Sequence, residues 1–506
     1  MKKILFFLFF PILLIAQNEV INEWNKQQFV NFLNKDDGVF FKHDTLIKSS
    51  LYYATLAGDG QSFTLHHQQP LNNYFKLGLS VHKFSQQGVY NRSLAKIHDV
   101  DWGVSFMNKS ETYRFQSLFR YKKVIQEENG GLLTKDLSST DDPILYPIRL
   151  IDAQTFARKR ILKIQHEYDF LPNWKLMHNW ERTKKSITYT DNAPSVDFYR
   201  HFFVDSIQTK DSLYQERDFH ALGFQRGSFR VQYALLQEKK STFFSDTSRL
   251  FHGLQFHFKA NKAHLMAQYL EEEQYHIQFN IKNKKFNFKL LARQSLPLFY
   301  HQNYYSNHFA WSNGFKKLQQ QHLHAILPWK SYELSFVANR LQHYLYLDQN
   351  IHWRQYQDVL YRFTPMFSMS WKWGVLSATH FLRYHWISDQ YVLRFPSYHF
   401  TNELTLNRSF FEGSLLATLG FSLEYFEKYF ALSYSPALAE MHLQDEVLVG
   451  QYPLANVFLN FKIQSADIRL QMRNLFDLWE DDFQYIIPDY PYKPMAIELG
   501  VKWELQ

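Results

Sequence analysis

The last twelve residues of the chain alternate. Ile497, Leu499, Val501, Trp503 and Leu505 are apolar, and Glu498, Gly500, Lys502 and Glu504 between them are charged or small. A period of two places each set on its own face of an extended strand. Such a strand has two possible settings. In a soluble sandwich the apolar face is core and the charged face meets water; in an outer-membrane barrel the apolar face meets lipid and the charged face a wet lumen.

The rest of the chain repeats the pattern. Phe75, Leu77, Leu79 and Val81 interleave with Lys76, Gly78, Ser80 and His82, and Val100, Trp102, Val104 and Phe106 with Asp99, Asp101, Gly103 and Ser105. Further on, Phe229, Val231, Tyr233 and Leu235, then Tyr275, Ile277, Phe279 and Ile281, keep the same period. Short turn sequences join many of these stretches: Leu171-Pro172-Asn173, Arg226-Gly227-Ser228, Ala260-Asn261-Lys262, Asn283-Lys284-Lys285 and Pro328-Trp329-Lys330. Alternate connections read as much longer: residues 122–157, 185–211, 238–248, 296–316 and 342–358. Short turns at one end and long loops at the other are the pattern of an outer-membrane barrel, and a soluble sandwich has no reason to sort its loops this way. The alternating stretches run about 9–13 residues, the length a tilted membrane strand needs. The expected fold is an all-β, transmembrane, antiparallel up-and-down barrel of about 16–20 strands.

The ends and the composition agree. Residues 1–16, with Lys2 and Lys3 ahead of a short apolar run, read as a secretory signal peptide. Beyond it no run of about 18 apolar residues occurs, so a membrane setting requires a closed barrel. Residues 17–60 form an N-terminal lead-in, a short helix or a lumen or periplasmic insert, and 61–506 the barrel. Phe, Tyr and Trp make up 18% of the chain, and such residues favour strands and membrane interfaces. There is no cysteine, which excludes disulfides, thiolate catalysis, Cys-based zinc sites and lipoprotein anchoring. The formal net charge of +8 is spread along the chain with no basic patch that would track nucleic-acid phosphates, so no nucleic-acid partner is expected.

Several stretches resemble the putative-porin family of Bacteroidota outer membranes: residues 51–62, 297–311, 456–463, 469–475, 488–491 and the final strand. The resemblance implies a porin-type barrel in the outer membrane. The final strand also resembles the signal read by the barrel-assembly machinery, carried by Glu498, Gly500, Trp503 and Leu505; Gln506 stands where an aromatic residue is common. Receptors of the TonB-dependent class are also large barrels, but they carry a folded plug, and the few dozen residues ahead of the first strand are too short for one.

Chemistry is sparse. The 23 histidines are scattered, and pairs such as His66-His67 and Glu216-x-x-x-His220 have no metal-ligand or protease spacing. The acidic group Asp477, Glu480, Asp481 and Asp482 reads as a solvated loop, without the Gly-supported pattern of a calcium site. No cofactor, metal or catalytic residue is expected, and the chain is read as a non-enzyme. With the apolar set facing lipid, Lys76, Arg114, Arg120, Lys282, Lys289, Arg293, Lys462, Arg469, Arg473 and Lys502 face inward, opposed by Asp99, Asp101, Asp467, Glu498 and Glu504. A cationic excess in a channel concentrates anions. The expected role is passive diffusion of small polar solutes with a mild anion preference, outer-membrane lipid and the assembly machinery being the other partners. The alternatives are a non-conducting barrel that scaffolds surface or secretion partners, and an outer-membrane lipid hydrolase.

Overall fold

The computed structural model describes residues 47–133, 142–242, 246–479 and 484–505. The expected signal peptide, residues 17–46 of the lead-in, Glu480, Asp481, Asp482 and Gln506 lie outside the described residues.

Among the described residues, 22 antiparallel strands each pair with the next along the chain, from Lys48–Leu56 and Gly60–Pro70 to Ala466–Arg473 and Ala496–Leu505. The last strand pairs with the first, Ser49 opposite Leu505 and Thr55 opposite Leu499, so the sheet closes. Closure removes both sheet edges, which hydrocarbon could not satisfy.

The barrel class is the expected one; its wall is larger. It starts at Lys48, within the segment read as a lead-in, and 22 strands exceed the expected 16–20. In Lys48–Leu56 the inward positions include Tyr52, Ala54 and Leu56, so both faces are apolar and the period of two is hidden. Three of the five expected long loops are also shorter than expected. Residues 122–128, 153–157 and 185–191 are strand, Lys122 lying opposite Lys159 and Lys159 opposite Lys185. Residues 238–242 and 246–248 likewise pair, Asp246 opposite Ser241. These strand ends rise past the lipid, where pairing continues but the outward face need no longer be apolar.

The outward face carries the exposed apolar side chains, among them Leu254, Leu222, Val231, Leu334 and Ile497. A soluble protein does not leave so continuous an apolar belt in water. At the end where the first strand begins and the last strand stops, the belt finishes in aromatic rings. Trp329 and Trp373 are 73% and 79% exposed beside their turns, and Phe170 lies 6.5 Å from Trp174 and 6.0 Å from Phe224. Such rings suit the membrane–water boundary. The connections at this end are two to five residues long, whereas 129–152, 192–208, 296–317, 343–358, 385–397, 427–453 and 474–495 all lie at the other. In an outer-membrane barrel the short turns are periplasmic and the long loops extracellular.

Candidate functional site

Cross-strand register places all ten expected lumen cations on the inward face. Lys76 lies opposite Ser105, Lys282 opposite Asn287, Lys289 opposite Asn280 and Arg293 opposite His276, on the face away from Leu77, Phe288 and Leu290. Five of the ten are tied to acids. Arg120 grips Asp101 through two contacts of 2.6 and 2.5 Å, and Arg114 reaches Asp169 at 3.1 Å. Arg473 lies 3.3 Å from Glu498, Lys502 2.7 Å from Glu504 and Lys462 3.9 Å from Asp467. Arg469 is positioned differently. Its guanidinium lies 4.1 Å over the Phe458 ring, while its Nε donates to Gln471 at 2.9 Å.

The remaining charge is uneven around the wall. Lys282, Lys289 and Arg293 form no ion pair among the described residues and are solvent-exposed on the inner face. Arg230 and Lys259, which the sequence reading passed over, are also inward and without an ion pair among the described residues. Both sit one position from outward apolar residues, Val231 and Phe258, so the parity rule that placed the other cations finds them too. These five cations lie on neighbouring strands from Phe229–Thr242 to Asn287–Ser295, with Arg230, Lys259, Lys282 and Lys289 toward the periplasmic turns. The result is a wetted, basic section of the lower wall.

The extracellular end is built from loops that cross the lumen. Within residues 427–453, Ser433–Ser435 pairs with Glu440–His442 as a small hairpin whose tip is 436–439. Ala439 packs on Val124 and Ala157, with Ile97 and Ile187 beside them. Those four residues are direct cross-strand neighbours on the inner face of the far wall. Ala437 packs with Leu150, Tyr189 and Tyr199, and the Tyr434 hydroxyl donates to Glu128 at 3.1 Å. The Tyr300 hydroxyl donates to Glu440 at 2.8 Å. Burial pushes the Glu440 carboxyl above the usual carboxylate value, against the opposing effects of the Tyr300 hydrogen bond and Lys185. Other loops interlock around the hairpin. The Phe203 amide donates to the Asn307 carbonyl, the Leu443 amide to the Leu347 carbonyl and the Leu132 amide to the Asp489 carbonyl. No periodicity marks this hairpin in the sequence, because its contacts surround it on several sides.

The closing seam holds the residues of the assembly-signal resemblance. Trp503 and Leu505 face outward; Glu498 and Gly500 face inward, where the Tyr52 side chain covers Gly500. His66 and His67 point to opposite faces, and Glu216 is held by Arg182 while His220 stacks on Trp180. No group of three or more metal-capable side chains forms among the described residues.

The molecule resembles solved outer-membrane receptors in fold. The FrpB iron transporter from Neisseria meningitidis aligns with a TM-score of 0.59 at 11% identity, over 91% of this chain and 83% of that one. The ferric enterobactin receptor PfeA from Pseudomonas aeruginosa gives 0.60 at 9% identity, over 91% and 81%. BauA, the ferric preacinetobactin receptor from Acinetobacter baumannii, gives 0.54 at 11% identity, over 91% and 80%. Comparison with curated protein sequences finds no match. The family model described as "Putative porin" matches residues 24–506. With the closed barrel and its lipid-facing belt, this match identifies the chain as an outer-membrane β-barrel protein that belongs to the putative porin family.

Proposed function

We propose that the protein is an outer-membrane channel for passive passage of small polar solutes, with a mild preference for anions and no catalytic role. The observation that carries the reading is the exposed inner-face group Lys282, Lys289 and Arg293, which makes no ion pair among the described residues. Cations held on a wetted wall raise the local concentration of anions. The paired cations elsewhere on the wall stiffen it and add little to selectivity.

The test is a planar-bilayer recording under a salt gradient. At about 8 Å in water one charge is worth about 0.5 kcal/mol, so K282Q/K289Q/R293Q lowers anion permeability by roughly tenfold at low salt and the anion-to-cation ratio by at least that much. An unchanged ratio removes the anion preference. The interlocked extracellular loops favour a second reading, a non-conducting barrel that presents a surface to partners. Folded protein that never opens in the bilayer decides for it.

A further inference from the structure

The outward face carries a line of positive charge where the apolar belt stops. Lys83 lies directly opposite His98, His98 opposite Lys123, and Lys123 opposite Arg158, on four successive strands. All four point away from the lumen, being in phase with Val81, Val100, Tyr121 and Leu162. Lys96 and Arg160 extend the group by one position on either side, and the charges of Lys123, Lys83 and Lys96 all bear on His98. Lys123 and Arg158 flank the Phe156 ring at 5.4 and 5.1 Å, and Arg160 lies 5.9 Å from the Tyr121 ring.

Lys123 lies directly opposite Arg158, and like charges so placed on paired strands repel. Nothing on these strands answers them. Lys83, Lys96, Lys123, Arg158 and Arg160 form no ion pair among the described residues, and the one outward acid described on the four strands, Glu127, is held by Arg92 at 3.1 Å. The row sits on the side of the long loops, just past nine-residue apolar stretches such as Tyr113 to Tyr121. At about 3.3 Å per residue and a tilt near 40°, nine residues rise about 23 Å, roughly the height of an outer-membrane apolar band. The row therefore stands at the headgroups of the outer leaflet.

We propose that Lys83, His98, Lys123 and Arg158, with Lys96 and Arg160, form a binding surface for the phosphate groups of an anionic lipid in the outer leaflet. The occupant is a phosphorylated glycolipid whose acyl chains lie along Val81, Trp102 and Phe119 below. Charge complementarity selects it, since the surface supplies cations in a line and the leaflet is where a phosphate-bearing headgroup meets them. The aromatic rings hold the long side chains in place without neutralising them.

The experiment uses the purified barrel in detergent, with native mass spectrometry counting bound lipid during titration. The probes are bis-phosphorylated lipid A, its dephosphorylated form and inorganic phosphate. The expected result is binding of the phosphorylated lipid at least tenfold tighter than the dephosphorylated one, with millimolar phosphate unable to displace it. K83Q/K123Q/R158Q lowers that affinity at least tenfold, and the charge-keeping K83R/K123R retains it. Equal binding of both lipids by the wild-type barrel overturns the proposal, as does an unaffected neutral variant. Displacement by inorganic phosphate overturns it too, because the row would then hold a free ion. The wild-type comparison stands even where the triple variant fails to fold.

Discussion

The Glu440 carboxylate accepts a 2.8 Å hydrogen bond from the Tyr300 hydroxyl, joining two extracellular loops 140 residues apart in the chain. Glu440 belongs to the hairpin that crosses the lumen, and Tyr300 to a loop rooted between different strands. The contact is a latch between an inserted element and the surrounding wall.

The seating of the hairpin depends on pH, because burial of Glu440 outweighs the Tyr300 bond, which by itself favours the charged carboxylate. Burial raises the folded-state value of Glu440, so its contribution is complete below the unfolded value of about 4.3 and fades as pH rises through the folded value. Single-channel conductance should be lower near pH 4 than near pH 8. Glu440→Gln keeps an acceptor for Tyr300 and carries no charge, so it should hold conductance at the acidic level across that range. A variant that keeps the wild-type pH profile assigns the dependence to another group.

The tip contact sets the width of the passage. Ala439 is buried against Val124 and Ala157, leaving no room for a larger side chain. Ala439→Trp should lift the hairpin from the far wall, and deletion of 436–439 should shorten it. Both should raise conductance and the size of the largest permeating neutral polymer. A fall in conductance for the deletion would show that the tip does not limit passage.

Arg120 and Asp101 form a tight inward ion pair away from the seam. Arg120→Met leaves the Asp101 carboxylate shielded and unanswered, at a cost of about 3–5 kcal/mol. Adding Asp101→Leu should recover most of the loss. Urea unfolding from lipid vesicles, read by tryptophan fluorescence, compares the three proteins. Equal stability of the single and double variants would mean that water already solvates the pair.

The far end of the Phe458 ring covers Gly420, and a Cβ added there would clash with it. Gly420→Val must push the ring aside, and overpacking of this kind costs about 1–3 kcal/mol. Because Arg469 rests on the same ring, the substitution should also shift the reversal potential, whereas Phe458→Leu should shift it with a smaller stability loss. A stability loss with no change in reversal potential would separate Arg469 from the ion path.

Much of this molecule is written in a local code. Successive side chains of a strand must point to opposite faces, so Val501 and Lys502 could be assigned to lipid and lumen without knowing their neighbours. The barrel class, the outward belt, the two unequal ends and the inward position of all ten cations follow from that geometry. The hidden strand Lys48–Leu56 shows its limit, because apolar residues on both faces erase the period. Parity names a face but no partner. That Arg120 is neutralised by Asp101 while Arg293 is not depends on which strands meet and in what register, set by closure of the whole ring. The hairpin 433–442 lies further still from local reading, since Ala439 is held by a wall several strands away, and only the assembled barrel brings the two together.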